Sequence, residues 1–267
     1  MQSKAPDTKT GQISRVSSIE DLFEECRKTC TIEEGWCPYQ GEIPYTLTNE
    51  GLEAEQLRPE DANIVFTYDC PIWQHKQLLD KRTQRVKKRL GPLASHTFDN
   101  FDSSRNYKAF ELAQKYVFHK AWEQGGWLIM YGNYGTGKTH LLAAIIQEAI
   151  MNGVFAVFAS LAKISTYEFE TAKNKLSELS EYDLIGLDDF GVESAQNWLT
   201  PHIFKLFDDL NESKKGLVMT TNMSLQGLQE LLGDRISDRI SQHAIAVELT
   251  GESMRKSLRS ENVSWAE

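Results

Sequence analysis

The sequence predicts an α/β fold, a mostly parallel sheet flanked by helices, with a smaller N-terminal appendage. Three observations carry this. From His96 onward, apolar strand-like runs alternate with helix-like runs, the pattern of repeated βαβ units. Gly132-Asn133-Tyr134-Gly135-Thr136-Gly137-Lys138-Thr139 is a complete phosphate-binding loop, G-x-x-x-x-G-K-T. That loop lies between an apolar run, Trp127-Leu128-Ile129-Met130-Tyr131, and a helical run opening at His140. Strand, loop and helix are the context in which such a loop works.

The elements follow in order. Residues 1–16 read as a disordered tail. Ser17-Ser18-Ile19-Glu20 offers a capping box for a short helix ending near Cys30. Residues 35–60 read as loop, and Asn63-Ile64-Val65-Phe66-Thr67-Tyr68 as a brief strand. A helix from Pro71 to Leu90 keeps Ile72, Leu79, Val86 and Leu90 near one face, and Gly91-Pro92 stops it. Composition shifts near residue 95, so 17–92 reads as a partner-binding region and 93–267 as the ATPase domain. Within that domain, helices are expected at 104–124, 140–150, 161–179, 195–211, 225–232 and 235–242. Strands are expected at 127–131, 154–159, 182–187, 216–221 and 244–249.

The chain has 267 residues and a net charge of −9, which argues against a wholly basic, nucleic-acid-coating protein. One stretch runs against that balance: Lys76, Lys81, Arg82, Arg85, Lys87, Lys88 and Arg89 face only Asp80. It reads either as a solvated helix face or as a contact for a phosphate backbone or acidic partner. No apolar run reaches membrane-spanning length, and the polar N-terminus lacks a signal-peptide core, so a cytoplasmic protein is expected. Disulfides are not expected there. Cys26, Cys30, Cys37, Cys70 and His75 supply enough ligands for a tetrahedral Zn²⁺ site, with Cys30, Cys37, Cys70 and His75 the set of choice. Their spacings match no standard zinc knuckle, and buried free cysteines are the alternative.

Gly132 through Thr139, with His140 in the first helical turn, form the nucleotide-binding segment. Glycines let backbone N–H groups curl around a phosphate, the helix N-terminus adds its dipole, and Lys138 adds a point charge. Thr139 and Asp188 are the expected Mg²⁺ ligands, since Leu187-Asp188-Asp189-Phe190-Gly191 ends an apolar strand with an acidic pair. Asp189 would orient or deprotonate the attacking water; being one methylene shorter than Glu, it implies slow hydrolysis. Asn222 faces the γ-phosphate only if its strand lies between the P-loop strand and the acidic strand. That is the arrangement of the AAA+ and RecA-like division of P-loop proteins. Arg235 and Arg239, four apart in L-G-D-R-I-S-D-R-I, share a helix face from which one could reach a neighbour's nucleotide. Arg255, in G-E-S-M-R, could reach it in cis. No Asn-Lys-x-Asp guanine motif is complete, which argues against a GTPase. No arginine-rich lid appears in 161–179, which argues against a small-molecule kinase.

The order and spacing of these motifs resemble the DnaC/DnaI helicase loaders and their IstB relatives in the AAA+ superfamily. Thr97-Phe98-Asp99-Asn100-Phe101, the P-loop, L-D-D-F-G-V-E, K-K-G-L-V-M-T-T-N, L-G-D-R-I-S-D-R-I and G-E-S-M-R carry the resemblance across about residues 96–258. It implies an AAA+ ATPase that binds ATP and single-stranded DNA, assembles through ATP-bridged interfaces and delivers a DnaB-like replicative helicase. An IstB-like ATPase assisting a transposase is the alternative. By the same resemblance Asn222 is sensor 1, Arg235 or Arg239 the arginine finger, and Arg255 a sensor 2 residue. Residues 97–101 would lie near the adenine. The chain departs from the family at Phe207-Asp208-Asp209-Leu210, where relatives carry an Arg. It departs again at Cys37-Pro38-Tyr39-Gln40, where Gln replaces a second Cys.

Overall fold

Alternation at period two decides which face each strand of the main sheet buries. In strand β4 (Trp127–Gly132), Leu128 and Met130 join one apolar cluster, while Trp127 and Ile129 join another. The structure is a computed structural model describing residues 14–18, 20–22, 24, 42–58, 64–191 and 198–251; for 234–242 it describes the backbone alone. Strands β5 (Ala156–Ser160), β6 (Leu184–Phe190), β7 (Gly216–Thr221) and β8 (Ala244–Leu249) complete a five-stranded parallel sheet in the order β5-β6-β7-β4-β8. On one face lie α3 (Tyr107–Phe118) and α4 (Lys138–Met151). On the other lie α5 (Leu161–Ile164), α6 (Phe169–Leu179), α7 (Thr200–Glu212) and α8 (Leu225–His243). Each fully buried Leu or Ile between these layers contributes roughly 1.5–3 kcal/mol. Gly186 keeps one layer thin, because a Cβ there would meet Ile146 Cγ1 at 2.9 Å.

Two expected helices are interrupted. The 104–124 helix ends at Phe118, and after Lys120, left-handed at φ 48°, a 3₁₀ turn spans Ala121–Gln124. The 161–179 helix divides into α5 and α6. Ser165 and Thr166 hydroxyls donate back to the carbonyls of Ala162 and Lys163, local bonds that compete with helix propagation. The α8 path bends at Gly233 (φ 70°, ψ 170°), so 225–232 and the segment from 235 are separate helices, as the sequence implied. Strand β6 runs to Phe190, three residues past its expected end at Leu187, through the acidic pair itself.

The chain divides into two compact units, Met1–Lys81 and Arg82–Glu267. In the first, β1 (Ser14–Val16) runs parallel to β2 (Glu42–Leu47), which pairs antiparallel with β3 (Phe66–Asp69); α1 is Asn49–Ala54. Residues 14–16 were expected in a disordered tail, and β2 and α1 in a loop. Pro44 reads as a breaker, yet β1 pairs only from Tyr45 onward, so the missing N–H of Pro44 costs no ladder bond on that side. Ile43, Tyr45 and Leu47 alternate inward against Leu22, Leu52 and Cys70. Helix α2 (Pro71–Leu90) has the expected limits, and the division between units falls within it. Its second half belongs to the second unit: Val86 and Leu90 are buried, and Arg82 Nη1 donates to the Met151 carbonyl at 2.6 Å. Arg89 donates to the Ala156 carbonyl and lies over the Phe155 and Tyr182 rings, 4.9 and 5.1 Å from their centroids.

Candidate nucleotide-binding site

Strand β4 delivers the P-loop to the C-terminal edge of the sheet, and α4 begins at Lys138. Gly132 is required by close approach: at φ 126°, a Cβ there would sit 2.2 Å from the Leu249 carbonyl of β8. Lys138 is 5% exposed, and its ammonium donates to the carbonyls of Gly132 (2.7 Å) and Asn133 (2.6 Å). Thr136 Oγ1 donates to the Asn133 carbonyl at 3.0 Å, closing the loop on itself.

Strand β7 lies between β4 and β6, the order on which the position of Asn222 depends. The β6–β7 register shifts between Leu187 and Phe190, so Asp188 and Asp189 together oppose Thr220. Thr220 Oγ1 donates to Asp188 Oδ1 (2.7 Å) and accepts from the Asp189 N–H (3.0 Å). Thr139 Oγ1 donates to the same Asp188 oxygen at 3.0 Å. Asn222 Nδ2 approaches Asp189 Oδ1 at 3.4 Å, and Asp189 is left-handed at φ 58°. Burial pushes the Asp188 carboxyl above the usual carboxylate range and Asp189 adds to this, while the two hydroxyl donors and Lys138 pull it back. Arg235 and Arg239 lie on α8 beyond its bend, where the backbone alone is described; Arg255 lies outside the described residues.

Two participants escaped the sequence reading. Thr220 was read only as a strand end, although a hydroxyl in an otherwise apolar buried strand is a signal. Asn106, 7% exposed just before α3, donates through Nδ2 to the carbonyls of Thr136 (3.3 Å) and Thr250 (3.2 Å). Its Oδ1 accepts from the Thr250 N–H at 3.0 Å, tying the P-loop to the end of β8. Asn106→Ala leaves these groups unpartnered. It is expected to destabilise the domain by about 1–3 kcal/mol in denaturant melts and to weaken nucleotide binding.

His140 faces the 97–101 segment. Its Nε2 lies 2.8 Å from the Thr97 carbonyl, an acceptor only, so that nitrogen carries the proton. Phe101 and His96 pack edge-on against its ring, at 5.3 and 4.7 Å. Burial lowers the imidazole pKa and His96 adds to this, against the Thr97 bond. With the folded value below the unfolded one, this stability is complete above about pH 6.5 and is lost as pH falls through the folded value. The melting temperature should therefore fall on acidification from neutral pH, and His140→Gln should flatten that slope.

The zinc expectation is not supported. Among the described residues no group of three His, Cys, Asp or Glu could hold a metal. Cys70 is a buried free thiol packed among Leu22, Ile43 and Leu52, and His75 is exposed on α2. Cys30 and Cys37 lie outside the described residues. Among the described residues no helix is long and apolar enough to cross a membrane.

The inserted β7 strand, the P-loop and the acidic pair define a P-loop ATPase fold of the AAA+ type. The chain belongs to the family of IstB-like ATP binding proteins, whose model matches residues 61–262, more than half of its length. It is 32% identical over 119 residues to the replicative helicase loader DnaC of Escherichia coli K12, covering 42% of this chain and 49% of that protein. It thus spans about half the length of that relative. The DnaC of Buchnera aphidicola subsp. Schizaphis graminum is 25% identical over 221 residues, 73% of this chain and 90% of that protein. Crystal structures of DnaI (TM-score 0.52, 24% identity, 61% of this chain and 92% of that one) and the DnaC helicase loader (0.53, 19%, 60% and 99%) share the fold.

Proposed function

We propose that this chain is an ATP-dependent loader of a DnaB-like replicative DNA helicase. Support comes from its match along most of a protein named as a replicative helicase loader, together with a strand order that brings Asn222 beside the acidic pair. The P-loop backbone and Lys138 bind the triphosphate. Asp188 and Thr139 offer the hard oxygen donors that suit Mg²⁺, an ion that keeps several waters and takes one or two carboxylates. Bound there, Mg²⁺ offsets phosphate charge. Asp189, steadied by Asn222, orients the attacking water, and its short side chain keeps hydrolysis slow until a partner improves alignment. Arg235 or Arg239 reaches a neighbouring protomer's nucleotide, Arg255 reaches its own, and the assembly holds single-stranded DNA. Residues 17–92 grip the helicase. ATP binding changes subunit contacts and makes no product beyond ADP and phosphate.

The test is co-purification with the host replicative helicase and delivery of that helicase onto single-stranded DNA. A chain that binds ATP but forms no complex with the helicase would refute the loader reading. The IstB-like family match favours a second reading, an ATPase assisting a transposase. Stimulation of hydrolysis by a transposase from the same host, with none by the helicase, would select it.

A further inference from the structure

Strand β7 is apolar from Leu217 to Met219 and then ends in two buried threonines, Thr220 and Thr221. Side chains alternate along it. Val218 lies in the cluster built on α4 and Met219 in the opposite one, so Thr220 faces α4 and Thr221 faces away. A hydroxyl in either place must find partners, because a buried polar group left unpaired is costly. The partners differ in kind. Thr221 Oγ1 donates to the Phe190 carbonyl at 2.8 Å and accepts from the Met223 N–H at 3.1 Å, two bonds to backbone alone. Thr220 instead spans the two carboxylate residues.

The direction of these bonds is fixed. The single proton of Thr220 goes to Asp188 Oδ1 at 2.7 Å, so the Asp189 N–H, 3.0 Å away, meets a lone pair of the same hydroxyl. Asp189 N–H, Thr220 hydroxyl and Asp188 carboxylate thus form one chain, in which each bond polarises the next. The chain also replaces what the register shift removes. Between Leu187 and Phe190 the β6–β7 pairing is interrupted, and Asp189 stands at φ 58°. Thr220 holds that residue by its backbone N–H. The Asp188 carboxylate, clasped on one oxygen by both Thr139 and Thr220, is restrained from rotating.

We infer that Thr220 is a positioning residue, whose one hydroxyl holds both carboxylates in the mutual geometry that hydrolysis needs. This rests on the proposed roles of Asp188 toward Mg²⁺ and of Asp189 toward water. Thr220→Val in the full-length protein keeps the branched shape and deletes the hydroxyl, and Thr220→Ala is read beside it, so that the outcome is not tied to how valine packs. Thr221→Val is the matched control, since it too leaves buried backbone groups unpartnered. All three should melt early. Only the Thr220 variants should lose rate: maximal phosphate release should fall about tenfold to a hundredfold, with the half-saturating ATP concentration within about threefold. Mn²⁺ binding to the ADP-bound protein, read from the free-ion signal by electron paramagnetic resonance, should weaken about tenfold in the same variants alone. Thr220→Ser returns the hydroxyl and should restore both readings. Equal losses in Thr221→Val, or no restoration by serine, would make Thr220 a structural residue and overturn the assignment. Unchanged rate and Mn²⁺ affinity without the Thr220 hydroxyl would overturn it as well. An unaltered protein that binds ATP but shows no Mg²⁺-dependent phosphate release would instead refute the reading of Asp188 and Asp189, and this assignment with it.

Discussion

Lys138→Met is expected to weaken ATP binding by on the order of a hundredfold, the value of about two charge-assisted hydrogen bonds. The ammonium donates to two loop carbonyls from a position only 5% exposed, and methionine keeps the apolar stem while removing the charge. The loop carbonyls lose a donor, so a modest fall in melting temperature should accompany the loss. Titration with a fluorescent ATP analogue measures the first effect and a thermal melt the second. Affinity within threefold of the unaltered protein would contradict the role given to this residue.

Asp188→Asn should separate activity from stability. Burial already disfavours the charged carboxylate, and its Oδ1 accepts from both Thr139 and Thr220. An amide retains one acceptor oxygen, occupies nearly the same volume and removes a buried charge. The folded state should be as stable as before or more so. On the proposed reading, hydrolysis, read as phosphate release, should drop by roughly two to three orders of magnitude, because a bound Mg²⁺ would lose its anionic ligand. A variant that hydrolyses ATP normally but melts early would reverse that assignment and make Asp188 a structural residue.

Much of this site was legible in the sequence because its strongest signals are local. The P-loop is contiguous, and Gly216–Thr221 and Ala244–Leu249 keep their expected bounds because turn or capping residues flank compact apolar runs. Helix Pro71–Leu90 keeps its bounds because Gly91-Pro92 ends it. What escaped is non-local. Asn106 and Thr250 are 144 positions apart and meet only once β8 is laid against β4. Thr220 opposes the acidic pair because of a register shift, which no propensity encodes. Strand β2 was hidden by Pro44, whose cost depends on where β1 begins pairing.

The left-handed backbone at Asp189 has an evolutionary side. An L-residue with a Cβ held at φ 58° gives up roughly 1 kcal/mol relative to glycine. Drift toward glycine would therefore relax the strand end and raise the melting temperature, while deleting the carboxylate beside Asn222. Backbone ease alone would therefore not choose an aspartate at this position.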